Sequence, residues 1–387
     1  MLTFGPRSTF GLFMQPMSRE FSWGRDVFAL AFAIQNLLWG LGQPIAGALA
    51  DRFGVARVLA VGAALYALGL TLMCYASTPL MLNLSSGVLV GFGLSGCSFA
   101  LVIAAFGKIV PKQWSAVALG FGTAAGSFGQ FVFAPVSVLL LGSYGWPGTL
   151  MVFATLVLLV IPLAFVLATP PSADTPAGAA PVAEQSFSQA MAEAFGHRSY
   201  VLLVLGFFTC GFQIAFVTAH LPSYLVDRGL TVGIGGTVIA AIGLFNIIGS
   251  LSVGWIATYV PKRIILSCIY AIRALSIIAF ISFPISPTSA ILFGVITGLT
   301  WLSTVPPTSG LVSLMFGTRW LATLFGVAFF SHQVGAFLGS WLGAVVFERT
   351  GSYNGVWWLS VFFGLASALI NLPIVEKPVP RQAAQPA

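Results

Sequence analysis

The sequence predicts an all-α polytopic membrane protein of twelve transmembrane helices in two six-helix bundles. Three observations predict it. Hydrophobic residues fill 58% of the 387 positions and charged residues 6%, with a mean hydropathy of +0.99; a soluble domain lacks the interior for so much apolar surface. Apolar runs of roughly 20 residues, the length that crosses a ~30 Å hydrocarbon core, recur between short polar breaks. The second half also echoes the first. Gly120 and Gly129 are matched by Gly326 and Gly335 at an offset of 206, and Gly142-Ser143-Tyr144-Gly145-Trp146 by Gly351-Ser352-Tyr353-Asn354.

The spans follow in order. Span 1, Met1–Met17, reaches roughly 26 Å, so it is either cut at its start or a partial crossing. Arg19–Asp26 form a polar turn. Span 2, Val27–Ala50, runs into a charged hairpin, Gly47–Arg57, and span 3 is Val58–Tyr75. Span 4, Met81–Phe106, carries Gly87 and Gly91 at a spacing that lets helices approach closely. Lys108–Gln113 lead to span 5, Ser115–Leu141, with Gly122, Gly126 and Gly129; span 6 is Thr149–Leu167. Residues 1–168 are therefore read as the first bundle. Thr169–Ala183 is Pro/Ala-rich and aperiodic, a flexible linker. Phe187, Ala190, Met191, Ala194 and Phe195 then form one apolar stripe, a helix expected on the membrane surface within a cytoplasmic linker, 169–198. The second bundle, 199–376, holds spans 7 (Tyr200–Val226), 8 (Ile234–Tyr259), 9 (Ile264–Phe283), 10 (Ser289–Leu314), 11 (Leu321–Phe347) and 12 (Val356–Val375). Residues 377–387 form a polar cytoplasmic tail.

Charge sorting orients the chain. With both termini cytoplasmic, Arg52, Arg57, Lys108, Lys112, Arg198, Lys262, Arg263, Arg319, Lys377 and Arg381 lie inside. Arg19, Arg25, Arg228 and Arg349 lie outside, and Arg7 and Arg273 fall within spans, which obeys the positive-inside rule. The net charge of +7 is thus loop charge and no nucleic-acid signal. All nine acids fall in loops, at span ends or in the tail, which argues against an enzyme with paired carboxylates and against a membrane carboxylate relay. Cys74, Cys97, Cys210 and Cys268 are far apart in apolar runs and read as packing residues. No metal site or cofactor motif stands out.

Arg7 is the most informative single residue. It lies about ten residues from the outer end of span 1, roughly 15 Å deep. It is read either as a fixed cation for an anionic substrate, since a guanidinium matches a carboxylate bidentately, or as a side chain snorkelling to the cytoplasmic surface. Arg273, deep in span 9, is a second cation, for substrate or for a structural partner. His332 in span 11 carries an imidazole and is read either as a candidate for substrate or proton or as a hydrogen-bonded packing residue. His220 and Tyr224 near the outer end of span 7 are candidates for a gate. Gln35, Asn36, Gln43, Gln130, Gln213, Asn246 and Gln333 need partners in lipid; Gln213, Asn246 and Gln333 join the candidate substrate set.

The stretch Gly47-Ala48-Leu49-Ala50-Asp51-Arg52-Phe53-Gly54-Val55-Ala56-Arg57 resembles the loop signature between helices 2 and 3 of the major facilitator superfamily. The resemblance implies that fold, a secondary transporter working by alternating access, and a conformational latch at Gly47, Asp51, Arg52, Gly54 and Arg57. Pro6-Arg7-Ser8-Thr9-Phe10-Gly11-Leu12-Phe13, Gly211-Phe212-Gln213, His220-Leu221-Pro222-Ser223-Tyr224, Pro306-Pro307-Thr308 and Phe330-Ser331-His332-Gln333-Val334-Gly335 resemble the bacterial monocarboxylate transporter-like branch. That implies a small organic anion as substrate, a monocarboxylate, with proton symport, in a monomer of the bacterial cytoplasmic (inner) membrane. The sequence departs from the branch at Asn246 and Ser250, where the branch places an Asp and an Arg, which weakens the implied proton coupling. A multidrug or hydrophobic-compound exporter and a non-transporting sensor of the same fold stay open as alternatives.

Overall fold

The structure, a computed structural model, describes residues 1–98, 101, 102, 105, 115–167, 185–317 and 320–379, with backbone alone at 51 and 115–123. The predicted linker Thr169–Ala183, the Lys108–Gln113 loop, Arg319 and the tail from 380 lie outside the described residues, as does the Asp51 side chain.

Span 1 is two short helices, α1 (Phe4–Ser8) and α2 (Gly11–Phe21). Ser8 Oγ donates to Gly5 O at 2.7 Å and Thr9 Oγ1 to Pro6 O at 2.9 Å. Hydroxyls that compete for backbone carbonyls favour such a break. Helix α3 (Arg25–Phe53) meets α4 (Val55–Met73) through Gly54 alone, whose φ of 87° glycine tolerates freely. The hairpin is therefore tighter than the predicted loop. Arg52 sits in the last turn of α3, where a cation suits the carbonyl end of the helix. Span 4 comprises α5 (Pro79–Leu82), a π-helical stretch Asn83–Leu89 and α6 (Val90–Gly96); Gly87 and Gly91 lie against α3.

Helical structure in α7 (Ser115–Leu158) is interrupted at Gly145, φ 66°, where the chain turns back toward α8 (Val160–Val166). Gly351, at the same offset of 206, has φ 68°. The turn glycines therefore align with the helix repeat, and the Gly-Ser-Tyr letters are slipped by three positions. Helix α9 (Phe187–Gly196) starts with a capping box between Ser186 and Gln189. Its Ala190 and Ala194 are buried in the second half, while Phe187 and Phe195 are exposed beside Trp320 and Tyr200.

The second half contains α10 (Arg198–Asp227), α11 (Val232–Ile256), α12 (Lys262–Ser282), α13 (Pro287–Thr300), α14 (Val305–Phe316), α15 (Leu321–Thr350) and α16 (Asn354–Asn371). Among the described residues nine helical segments are long and apolar enough to cross a membrane, and the one from Ala124 to Val166 carries two crossings around Gly145. The broken first span and α3 bring the crossings to twelve.

Each half has its own apolar core. The halves meet where α3 packs on α15, α7 on α11 and α2 on α10. Within the second half, glycines bring α10 and α15 into backbone contact. A Cβ on Gly211 would strike His332 O, and one on Gly335 would strike Phe208 O. The interface between halves is close at one end and open at the other. Gly40, midway along α3, lies against Gln333 and Phe330 of α15. Gly47, Gly126, Gly254 and Gly326, on the hairpin-side halves of α3, α7, α11 and α15, have nothing within 4 Å of an added Cβ.

Candidate functional site

Arg7 is carried by the last turn of α1 and is 6% exposed. Its Nη2 donates to Asn36 Oδ1 of α3, and its guanidinium lies 4.6 Å from the Trp39 ring and 5.4 Å from the Phe32 ring. These are cation–π distances. Arg7 Nε is buried without a partner, and among the described residues no carboxylate is within salt-bridge distance. The break between α1 and α2 sets this cation at the junction of the halves.

Across that junction, Trp39 packs edge-on to Phe329 of α15 at 5.4 Å, and Phe329 stacks on His332 at 5.7 Å and 9°. Gln333 lies against Gly40, next to Trp39 in the chain. Trp39 Nε1, both polar atoms of the Gln333 amide and His332 Nδ1 are buried without partners. Arg7 thus lies over one face of Trp39, whose edge meets Phe329 of α15, and Phe329 leads on to His332, which also packs on Phe207 at 5.0 Å. Such a set can hold a carboxylate on the guanidinium and hydrogen-bond a second polar atom of the same solute.

The other predicted substrate residues lie elsewhere. Arg273 sits inside the second half. It donates to Trp301 O at 2.5 Å, to Thr300 O, and to Gln213 Oε1 at 3.5 Å. The break between α13 and α14 frees those carbonyls. Gln213 in turn donates to Ser360 O at 2.9 Å. Asn246 is fully engaged: Nδ2 donates to Ser127 Oγ on α7 at 2.8 Å, and Oδ1 accepts from Leu302 N at 3.0 Å and Ser250 Oγ at 3.1 Å. It ties α11 to the first half where the branch has its Asp.

At the end opposite the hairpin, Arg25 of α3 grips Asp227 of α10 bidentately, at 2.6 and 2.8 Å. It also donates to the Tyr353 hydroxyl at 2.9 Å, lies 4.0 Å from the Phe347 ring, and its backbone N–H reaches Glu348 at 2.7 Å. Gln15 of α2 adds a bond to Asp227 at 3.2 Å. His220 and Tyr224 pack beneath this lock, both against Tyr353, and His220 Nε2 bonds Ser340 O at 2.6 Å. At the hairpin end Arg52 and Arg57 are exposed and pair with no described acid; Arg52 lies 5.2 Å from the Phe53 ring.

Trp39, Phe329 and the lock partners of Arg25 were missed by sequence reasoning. Arg25 and Asp227 each read as loop charges, and nothing in the sequence pairs positions 202 residues apart.

The sequence profile of the Major Facilitator Superfamily matches residues 1–340. An uncharacterized MFS-type transporter, YcxA, of Bacillus subtilis (strain 168) is 28% identical over 379 residues, covering 96% of this chain and 91% of that protein. Monocarboxylate transporter 11 of Homo sapiens is 26% identical, covering 95% and 81%, and monocarboxylate transporter 13 of Bos taurus is 24% identical, covering 96% and 86%. Among solved structures, a D-xylose-proton symporter superposes with a TM-score of 0.76 at 16% identity, covering 97% of this chain and 95% of that one. A bacterial homolog of the human lysosomal transporter Spinster, in an inward-facing and unoccupied conformation, superposes with a TM-score of 0.70 at 17% identity, covering 96% and 92%.

Proposed function

This chain belongs to the Major Facilitator Superfamily, and from that premise we propose that it transports a small organic anion, a monocarboxylate, bound at Arg7. The single observation carrying this reading is a buried guanidinium at the junction of two bundles, with no described carboxylate partner, held by Asn36 and faced by the Trp39 and Phe32 rings. A cation buried this way is costly unless a negative group joins it. The named relatives among monocarboxylate transporters support the same substrate class.

The two ends supply the access cycle. The Arg25–Asp227 lock closes one end while the Gly47–Arg57 hairpin end stands open. We take the hairpin end as cytoplasmic from the distribution of Arg and Lys. Gly47, Asp51, Arg52, Gly54 and Arg57 then act as a latch in the opposite state, when the hairpin end closes and the lock parts. His220 and Tyr224 belong to the gate under the lock. With Asn246 and Ser250 satisfied and uncharged, His332 is our candidate for any coupled proton.

Uptake of labelled monocarboxylates into proteoliposomes, with and without an imposed pH gradient, tests the assignment. Arg7→Gln is expected to lower anion uptake at least about tenfold, the loss of one charged hydrogen bond. Unchanged uptake in that variant would refute the anion site. A pH gradient that drives uptake in the parent protein and fails in His332→Gln would place the proton at His332.

A further inference from the structure

We propose that Asn36 sets the charge selectivity of the site at Arg7: its amide aims the guanidinium and leaves the positive charge uncancelled, so that a negative solute is the missing counter-charge. The inference rests on the reading of Arg7 as an anion site and names the residue that keeps that site selective. Phe32, Asn36 and Trp39 are spaced i, i+4 and i+7 on α3, which puts them on one helix face. Arg7 meets all three. It lies 5.4 Å from the Phe32 ring and 4.6 Å from the Trp39 ring, and it donates to Asn36 Oδ1 between them. Asn36 is fully buried, and its two neighbours fix which way the amide points. Nδ2 donates to Phe32 O at 2.7 Å, a carbonyl that can only accept, and Oδ1 faces a guanidinium that can only donate. Asn36 is thus held by its own helix turn and in turn holds Arg7.

The choice of an amide matters at this position. A carboxylate there would pair with Arg7 and cancel its charge. Tethered beside the guanidinium, it would also outcompete a dissolved carboxylate through its high effective concentration. Among the described residues no other group takes that part. No carboxylate lies within salt-bridge distance of Arg7. Tyr66, whose phenol is close enough to act on Arg7 electrostatically, donates its hydroxyl proton to Thr3 O at 3.1 Å and so adds no charge. An alanine at position 36 would keep the charge and release the guanidinium from α3. Asn36 therefore acts through Arg7 as a positioning residue, giving direction without charge.

Uptake of labelled butyrate, pyruvate and benzoate into proteoliposomes of the full chain, with the Tm of each variant, tests this. Asn36→Ala is expected to raise KM about 3- to 10-fold, the value of one hydrogen bond, with maximal uptake little changed. Asn36→Asp is expected to lower uptake at least about tenfold, as Arg7→Gln does, while its Tm stays above that of Asn36→Ala because an ion pair replaces the lost bond. A merely structural Asn36 would lower Tm and uptake together and equally in both variants, and that result would overturn the proposal. An unchanged KM in Asn36→Ala would do the same. If Arg7→Gln loses uptake while Asn36→Asp matches the parent, the anion site stands and Asn36 is not its selector. Unchanged uptake in Arg7→Gln would remove the site itself, and the proposal with it.

Discussion

Two buried arginines show how far one residue type can be read from sequence. Both announce themselves, because a cation deep in an apolar run is rare and costly. Their surroundings separate them. Arg7 is set at the bundle junction by the break in span 1, and its partners reach across from α3 toward α15. Arg273 is turned into its own bundle by the Thr300 and Trp301 carbonyls that the break between α13 and α14 leaves free. No periodicity foretells that second break. Trp39 was equally invisible: an aromatic in a helix reads as packing until its neighbours and its idle N–H are known. Trp39→Phe keeps the ring and removes the donor. If the indole N–H bonds the solute, KM for the anion should rise about 3- to 10-fold, the net value of one hydrogen bond, with maximal uptake little changed. An unchanged KM would leave the indole a purely apolar wall.

At the scale of elements, most of the chain was legible, since an apolar run of crossing length has few other fates. The connections were less so. The Gly47–Arg57 hairpin reads as a seven-residue polar loop when charges are taken to mark it, yet Gly54 alone joins the helices. Likewise the repeat was visible through the glycines of spans 5 and 11, while the lettered echo before spans 6 and 12 misplaced the register that Gly145 and Gly351 set. Gly211-Phe212-Gln213 and Val334-Gly335 gain a physical reason. Without side chains there, α10 and α15 touch backbone to backbone, and van der Waals packing is the main force between helices in lipid. Gly211→Val should therefore destabilise the second bundle by about 1–3 kcal/mol through overpacking, seen as a lowered Tm. Gly326→Ala, which meets open space, should leave Tm unchanged. Equal effects of the two would contradict this packing.

At the scale of the molecule, one cluster decides which end is shut. Arg25 and Gln15 come from the first half, Asp227, Glu348 and Tyr353 from the second, so the lock parts only if the halves separate there. Arg25→Gln is expected to shift the balance toward the state open at that end by about fivefold, roughly 1 kcal/mol for a partly exposed ion pair. A cysteine placed near Ser18 should then react faster with a membrane-impermeant maleimide; no change in rate would remove the lock from the cycle. The pH dependence has a definite sign. Burial works to lower the Arg25 pKa, but hydrogen bonds to Asp227 and Tyr353 outweigh it and leave it raised. Burial pushes the Tyr353 phenol up to about 12, against the pull of Arg25. Both folded values stand above the unfolded ones, so their contribution is complete below about pH 10 and fades only as pH climbs through 12. As far as these two groups set it, the lock is constant from about pH 6 to 9.

Four of the glycines that face empty space, all on the hairpin-side halves of helices between the bundles, carry a consequence of their own. Gly47, Gly126, Gly254 and Gly326 sit on α3, α7, α11 and α15, the helices that meet between the bundles, and in this conformation no neighbour requires them to be small. A helix interior taxes glycine by roughly 1 kcal/mol relative to alanine. Their smallness makes sense against an arrangement that is not the present one, in which the parted helices come together and backbone meets backbone. The chain is thus written for two shapes at once, and these bare positions are the imprint of the second left on the first.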